Sequence, residues 1–590
     1  MDETSAGAEN SLAVPIEAHG ERVVEWRQSQ RGGSREDRML RHTTVSLPPK
    51  IADFSPKIPS SIAMRTDAAL TAITQLDSSY GHHLASLSSL LLRAESVASS
   101  KIEHIEASLE DFAKASHGEK SNASATSMVA SAKALNSLIT SVDDGCPISL
   151  SNILTAHRTL MADDTSEARY AGRLRDMQNW IGGSDYSPRN AMYVPPPPVT
   201  VKDYLDDLLE FANRDDVPAL AQAAVAHAQF ESIHPFTDGN GRIGRVLINT
   251  ILRRRGVTTK VVVPLASALV AKKEAYFDVL SAYREGDAGP IIRAFAQAAR
   301  TSARESVASA QRLAELPQLW IDMYRGVSGK SPRAGSAASE ILDVLRTMPF
   351  FTREDVEDVL GGATSSIYSA IEKLAEAGIL RALTDRKRRQ IWCAGAVIDE
   401  LEDLGHRIAS QTVTDPDWQT IHRQVIDEIQ RQTHERWTKT NGILAEVARS
   451  DVMRNALSGP PLSAEAQARI SESLRLPDAV RANLDSFLIS QNLRNILAPT
   501  AVSESTRQYR DPSVDISEPL QKPFSDLGSR LTRQTRLPEA VAQILRASDS
   551  QENPRSSRAE GNGVMHTDDG GTTADQNDEG TADSRCDEHG

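Results

Sequence analysis

The run His234–Arg245, HPFTDGNGRIGR, constrains this 590-residue chain more than any other feature. It forces a tight turn between two helices. Before it, the Ala-rich stretch Pro218–Phe230 (PALAQAAVAHAQF) reads as an amphipathic helix arriving at Ile233. After it, Arg242–Arg255 places Ile243, Val246, Leu247 and Leu252 at helical spacing, with basic residues in the last turn and Gly256 as the stop. Asp238-Gly239-Asn240-Gly241 is then a turn at a helix start, where unpaired amides and the positive dipole end attract anions.

The side chains of the run suit phosphate chemistry. Gly239 and Gly241 can take positive φ and bring the backbone close to a phosphate, and Asn240 tolerates the same region while offering an amide. Arg242 and Arg245 lie three apart and can face one anion through forked, paired hydrogen bonds. Asp238 supplies a hard oxygen suited to Mg2+ shared with phosphates, and His234 is a base that is neutral near pH 7. A short turn of this kind is often only a turn, but here acid, glycines, asparagine, histidine and both arginines agree in order and spacing.

Every specified position of HPFx[DE]GNGRxxR is filled, so the run resembles the signature of the Fic (Fido) family. That resemblance implies an ATP-dependent protein adenylyltransferase, which moves AMP to a Ser, Thr or Tyr hydroxyl of a target protein and releases pyrophosphate. His234 would deprotonate the target hydroxyl, and Asp238 would hold Mg2+. Gly239, Asn240, Gly241, Arg242 and Arg245 would bind the phosphates of ATP, with Arg245 on the γ-phosphate. Upstream, Ser99 and Glu103 fit the family's inhibitory pattern [ST]xxxE[GN], although His104 stands where Gly or Asn is usual. Glu103 would pair with Arg245 and block productive γ-phosphate binding, whereas the plainer reading is a charged face continued by Glu106 and Glu110. Between the two motifs, GRLRDMQNWIGG and NAMYVPPPP resemble the family's β-hairpin flap. Met192, Tyr193 and Val194 would form an extended edge for docking a target backbone. Tyr276 and Tyr283 could line a base pocket or simply be core.

Beyond a Gly/Ser/Pro-rich linker, the segments Ala337–Thr347, Phe351–Leu360 and Thr364–Ala377 read as three helices. Ile379-Leu380 and Ile391-Trp392 follow as a two-stranded wing around DRKRRQ. This resembles a winged helix-turn-helix. Were it to bind DNA, Ser365, Ser366, Tyr368 and Ser369 would face the major groove, and Arg386, Lys387, Arg388 and Arg389 would meet the backbone or minor groove. Glu372 and Glu376 oppose that, and such modules also serve protein interaction.

The expected architecture is mainly α: a Fic-type helical bundle with a small β-hairpin flap, then a winged helix-turn-helix, then a helical and disordered C-terminal region. The expected divisions are a flexible N-terminus (1–40), an N-terminal region with the inhibitory helix (41–130) and a catalytic domain (131–316) with helices ending near Leu316. A linker (317–336), the winged module (337–400), a helical region without assigned role (401–500) and a largely disordered acidic tail (501–590) follow. Net charge is −14, but eight acids and one arginine fall in 561–590, so half the acidity belongs to the tail. Three widely spaced cysteines argue against a disulfide framework or zinc site and fit a reducing, cytoplasmic setting. No apolar run suits a membrane, and a homodimer is compatible with the sequence. Two classes of function compete: a target-modifying nucleotidyltransferase held in check by its own helix, acting on a partner or on itself, or a DNA-binding regulator or toxin–antitoxin-like module with an auxiliary Fic core. Within the enzyme class, transfer of another group or removal of AMP stays open.

Overall fold

The computed structural model describes residues 12–28, 31–81, 85–118, 122–345, 348–361, 364–384, 390–416, 418–427 and 430–431. The acidic tail, most of the 401–500 region and the basic wing residues Arg386–Arg389 lie outside the described residues. What is described is mainly helical. Strands β1 (Gly20–Glu25) and β2 (His42–Leu47) flank helix α1 (Arg35–Met39). Then come α2 (Ser60–Leu76), α3 (Ala85–Ile102), α4 (Leu109–Ser116), α5 (Ala123–Thr140), α6 (Leu150–Met161), α7 (Val201–Ala212), α8 (Ala219–Ile233) and α9 (Asn240–Arg254). The order continues with α10 (Leu265–Ala271), α11 (Lys273–Arg284), α12 (Gly289–Ser328) and α13 (Ala337–Val344). The last elements are β3 (Phe350–Thr352), α14 (Arg353–Leu360), α15 (Thr364–Glu376), β4 (Leu380–Ala382), β5 (Ile391–Ala394) and α16 (Gly395–Thr414).

Helix α8 is the axis of the bundle. It is not amphipathic, as its sequence suggested: every residue from Ala219 to Ile233 is buried, with α2, α7, α9, α11 and α12 packed around it. Five of its first eight positions are alanine, and these small side chains let neighbours close in from every side. Several of its polar groups are matched internally. Gln222 Nε2 donates to Phe211 O at 2.8 Å, Gln229 Nε2 to Pro49 O at 2.7 Å, and His227 Nε2 meets the Tyr276 hydroxyl at 2.9 Å.

Three expectations are corrected. The N-terminal forty residues are structured from Leu12 onward, because GERVVE and HTTVSL pair antiparallel and Trp26 packs edge-on against Trp180 at 5.4 Å. Helix α12 does not end near Leu316. It runs through Pro317 to Ser328 because Leu313, Leu316, Trp320 and Tyr324 continue one buried stripe, whose burial outweighs the proline's missing donor. Phe351 begins no helix. Phe350–Thr352 forms a third strand, and Thr352 caps α14 through a reciprocal box with Asp355.

The C-terminal elements therefore run helix, strand, helix, helix, strand, strand, with an antiparallel sheet ordered β3-β5-β4. They dock on the bundle rather than hanging from a linker. Phe112 of α4 lies 6.5 Å from Phe350, Arg93 of α3 stacks over the same ring, and His117 Nε2 meets Asp355 Oδ2 at 3.2 Å. Cys393 is a free, buried thiol, whereas Cys146 is disulfide-bonded, although the wide cysteine spacing argues against a disulfide framework. Among the described residues no helix is long and apolar enough to cross a membrane.

Candidate active site

The turn between α8 and α9 is built by capping. Helix α8 ends on His234 in the left-handed region (φ 50°, ψ 62°), and α9 starts after Gly239 at φ 76°. Gly241 lies inside α9 without positive φ, so its expected conformational role fails and its missing side chain matters instead. A Cβ there would collide with Glu103 Oε1. Asn240 is buried and turned inward. Its Oδ1 accepts from Phe236 N at 2.8 Å and its Nδ2 donates to Phe236 O at 2.9 Å, so it shapes the loop and leaves its backbone amide at the helix start.

The inhibitory-pattern residues meet the second arginine. Arg245, 1% exposed, donates from Nε to Ser99 Oγ at 2.8 Å, and from Nη2 to Ser99 O at 3.0 Å and Glu103 Oε1 at 2.7 Å. Burial disfavours the Arg245 charge, but Glu103, Tyr276 and Glu231 outweigh it and raise its pKa. Burial likewise opposes ionisation of Glu103, and Arg245 overrides that to hold the carboxyl below its usual range. Two more carboxyls feel Arg245: burial pushes Glu95 up to about 8 and Glu231 up to about 7. Glu103 is therefore the principal counter-charge of Arg245 at neutral pH.

Arg242 is also buried. It donates to Ser127 Oγ of α5 at 2.8 Å and meets Asp238 Oδ2 at 3.3 Å. The Asp238 side chain is 56% exposed, which leaves an accessible hard oxygen at the mouth of the turn. His234 is held neutral, lowered to about 3 by burial first and then by Arg175 and Arg284. A neutral imidazole one turn from an anion-attracting helix start can accept a proton from a hydroxyl.

The flap segment is anchored more firmly than expected. Ile181 and Tyr193 form a bridge, Tyr193 and Val194 are buried, and Val194 O accepts from Ser46 N of β2 at 2.8 Å. The Tyr193 hydroxyl donates to Ser232 O at 2.7 Å beneath the Arg284 guanidinium. Of the three expected docking residues, Met192 alone faces solvent, at 67% exposure. Tyr276 and Tyr283 are core residues, bonded to His227 and Gln229. On the C-terminal module Ser365, Ser366, Tyr368 and Ser369 are exposed, and Arg353 stacks on Tyr368. Its helix α14 carries Glu354, Asp355, Glu357 and Asp358.

Several residues that hold the site carried no assigned role in the sequence. His157 of α6 accepts from Gly172 N at Nδ1, points Nε2 at Asp238 O at 3.1 Å, and stacks flat on Phe236 at 3.7 Å. Asn179 Nδ2 donates to Phe236 O at 2.9 Å, and Thr237 Oγ1 to Glu167 Oε2 at 2.7 Å. Lys273 donates to His104 Nε2 at 2.8 Å, and His104 sits at φ 59°. That conformation accounts for the Gly or Asn usual at this place in the inhibitory pattern.

Known proteins resemble this region. The model of the Fic/DOC family matches residues 147–252. The protein adenylyltransferase fic-1 of Caenorhabditis elegans is 30% identical over 158 residues, 26% of this chain and 28% of that one. The protein adenylyltransferase Fic of Aedes aegypti is 31% identical over 150 residues, 25% of this chain and 26% of that one. The chain thus spans under a third of the length of these relatives. A solved Fic family protein from Desulfovibrio desulfuricans G20 is 20% identical with a TM-score of 0.35, covering 56% of this chain and 95% of that one. The matched residues include all of His234–Arg245, so the chain contains a Fic/DOC family domain over residues 147–252.

Proposed function

We propose that this protein is an adenylyltransferase that moves AMP from ATP to a Ser, Thr or Tyr hydroxyl of a protein target, and that Glu103 holds it inactive. The observation that carries the reading is the Glu103–Arg245 pair at 2.7 Å, set beside a neutral His234. The relatives named protein adenylyltransferase support the same chemistry.

In this reading His234 takes the proton of the target hydroxyl, whose oxygen attacks the α-phosphorus in line as pyrophosphate leaves. The work is mostly positioning and charge stabilisation. The amides at the start of α9 and the Arg242 guanidinium hold the phosphates. Arg245 receives the terminal phosphate once Glu103 has left, because one guanidinium cannot serve both anions in full. The exposed Asp238 carboxylate fits Mg2+, which when bound neutralises phosphate charge. Met192 and the segment around it present the target.

The test is incubation of the wild-type, Glu103→Gly and Glu103→Gly/His234→Ala proteins with Mg2+ and α-labelled ATP, followed by mass spectrometry. Labelling of protein that is far stronger in the second form than in the other two, with a mass increment of AMP, supports the reading. No labelling in any form overturns it, and another increment redirects it to a different transferred group.

The exposed polar face of α15 favours a second, separate role for the C-terminal elements as a winged helix that contacts DNA. The four acids of α14 weigh against it. Fluorescence anisotropy with random duplex DNA at low salt decides: no binding there removes that role.

A further inference from the structure

Arg175 stands near the start of the flap segment, in GRLRDMQNWIGG, where the sequence offers no reason to single it out, and it is 3% exposed. Its guanidinium donates to four carbonyl oxygens in two segments. Nε reaches His234 O at 2.8 Å and Nη2 reaches Ile233 O at 3.4 Å, both at the end of α8. Nη2 also reaches Pro196 O at 2.6 Å, and Nη1 reaches Met177 O at 3.2 Å, on the two sides of the flap segment. Its own amide donates to Pro235 O at 2.9 Å. Carbonyls at a helix C-terminus lack intrahelical partners, and burying one without a donor is costly. His234 in addition holds the left-handed backbone, a state that persists only where its surroundings enforce it. A lysine could not replace the fork, since one ammonium cannot donate along these fixed, divergent directions.

We propose that Arg175 is the positioning residue of the transfer reaction: it fixes the backbone of the base His234 and the roots of the flap as one rigid unit. This rests on the adenylyl-transfer reading for the step it serves. The hydrogen bonds of the Arg175 side chain go to the base and flap side of the site, not to Arg242 or Arg245. Its loss therefore damages turnover and spares nucleotide binding.

The experiment places Arg175→Lys and Arg175→Met in the full-length Glu103→Gly chain. Labelling rates are measured across ATP concentrations, ATP affinity by calorimetry, and the His234 imidazole titration by NMR. Both variants are expected to lose about 100-fold in maximal rate, the scale of an ångström-sized misplacement, while ATP affinity stays within about threefold. The His234 titration rises in Arg175→Met, which loses the nearby charge, and stays nearer the parent in Arg175→Lys. Parent-like rates in both variants overturn the proposal, as does an ATP affinity that falls in step with the rate. Should Arg175→Met fail to fold, the milder Arg175→Lys carries the same comparison. A silent Glu103→Gly parent would instead overturn the transfer reading, and with it the reaction step that Arg175 is proposed to serve.

Discussion

The C-terminal ends of α8 and α3 both place a histidine at positive φ, 50° at His234 and 59° at His104, yet their surroundings differ. The end of α8 is sealed. His234 is held by Arg175, the following turn by His157, Asn179 and Asn240, and the helix is buried on every side. The end of α3 is half open. Glu103 keeps 38% of its side chain exposed, and His104 lies on the surface with Lys273 as its partner. Left-handed backbone costs a residue with a side chain on the order of 1 kcal/mol at each end. At α8 many bonds offset it, and at α3 few do. A catalytic base needs a fixed position, whereas an inhibitory group must be able to leave.

The contrast can be broken at either end. The largest expected effect is at the fixed end: His234→Ala in the Glu103→Gly chain should lower labelling by about 1,000-fold or more, the scale of a lost general base. A residual rate within tenfold of the parent would remove His234 from that role. At the releasable end, Glu103→Gly should raise labelling by about tenfold or more over wild type, since a closed resting state suppresses activity by its excess population. Equal rates would mean that the ion pair does not limit ATP use. Lys273→Ala should raise basal labelling only about threefold, the worth of one exposed hydrogen bond. A wild-type rate would leave His104 without a part in holding the gate.

The smallest effect expected is an absence of change. Burial, Arg175 and Arg284 lower His234 to about 3, below its usual 6.5, so the base stays unprotonated well into acid. Labelling by the Glu103→Gly chain should then keep its rate from pH 8 down to pH 5, where an ordinary histidine would have lost most of it. For stability the sign is that of a depressed pKa. The contribution of His234 is complete above about 6.5 and is lost as pH falls toward about 3, because the unfolded chain takes up the proton first. A rate falling with a midpoint near 6.5 would show that the imidazole is not shielded.

Much of this site is legible in the sequence because it depends on local chemistry. The order of His234, Asp238, Gly239, Asn240, Arg242 and Arg245 prescribes a turn between helices, and a turn is specified by its own residues. Glu103 could be paired with Arg245 only through resemblance, since 142 residues separate them. Arg175, His157, Ser127 and Lys273 act across segments that come together only on folding, and nothing in their neighbours distinguishes them from solvated residues. Gly241 was misjudged for a related reason: its side-chain space is claimed by Glu103, which no local pattern reveals. Likewise the helix end expected near Leu316 gives way, because the buried Trp320 and Tyr324 beyond it continue the helix.

Helix α4 begins six residues after Glu103, and its Phe112 and Ala113 pack on the sheet strands that hold Phe350, Ile391 and Cys393. If Glu103 withdraws by a shift of the chain between α3 and α4 that also draws α4 away from the sheet, the two surfaces become thermodynamically linked. Any ligand that tightens the C-terminal elements on α4 must then weaken ATP binding. Bound ATP must loosen that contact by the same free energy, since coupling between binding sites is reciprocal. The nucleotide occupancy of the turn would thus be legible at a distant face, as a change in how firmly that face is held.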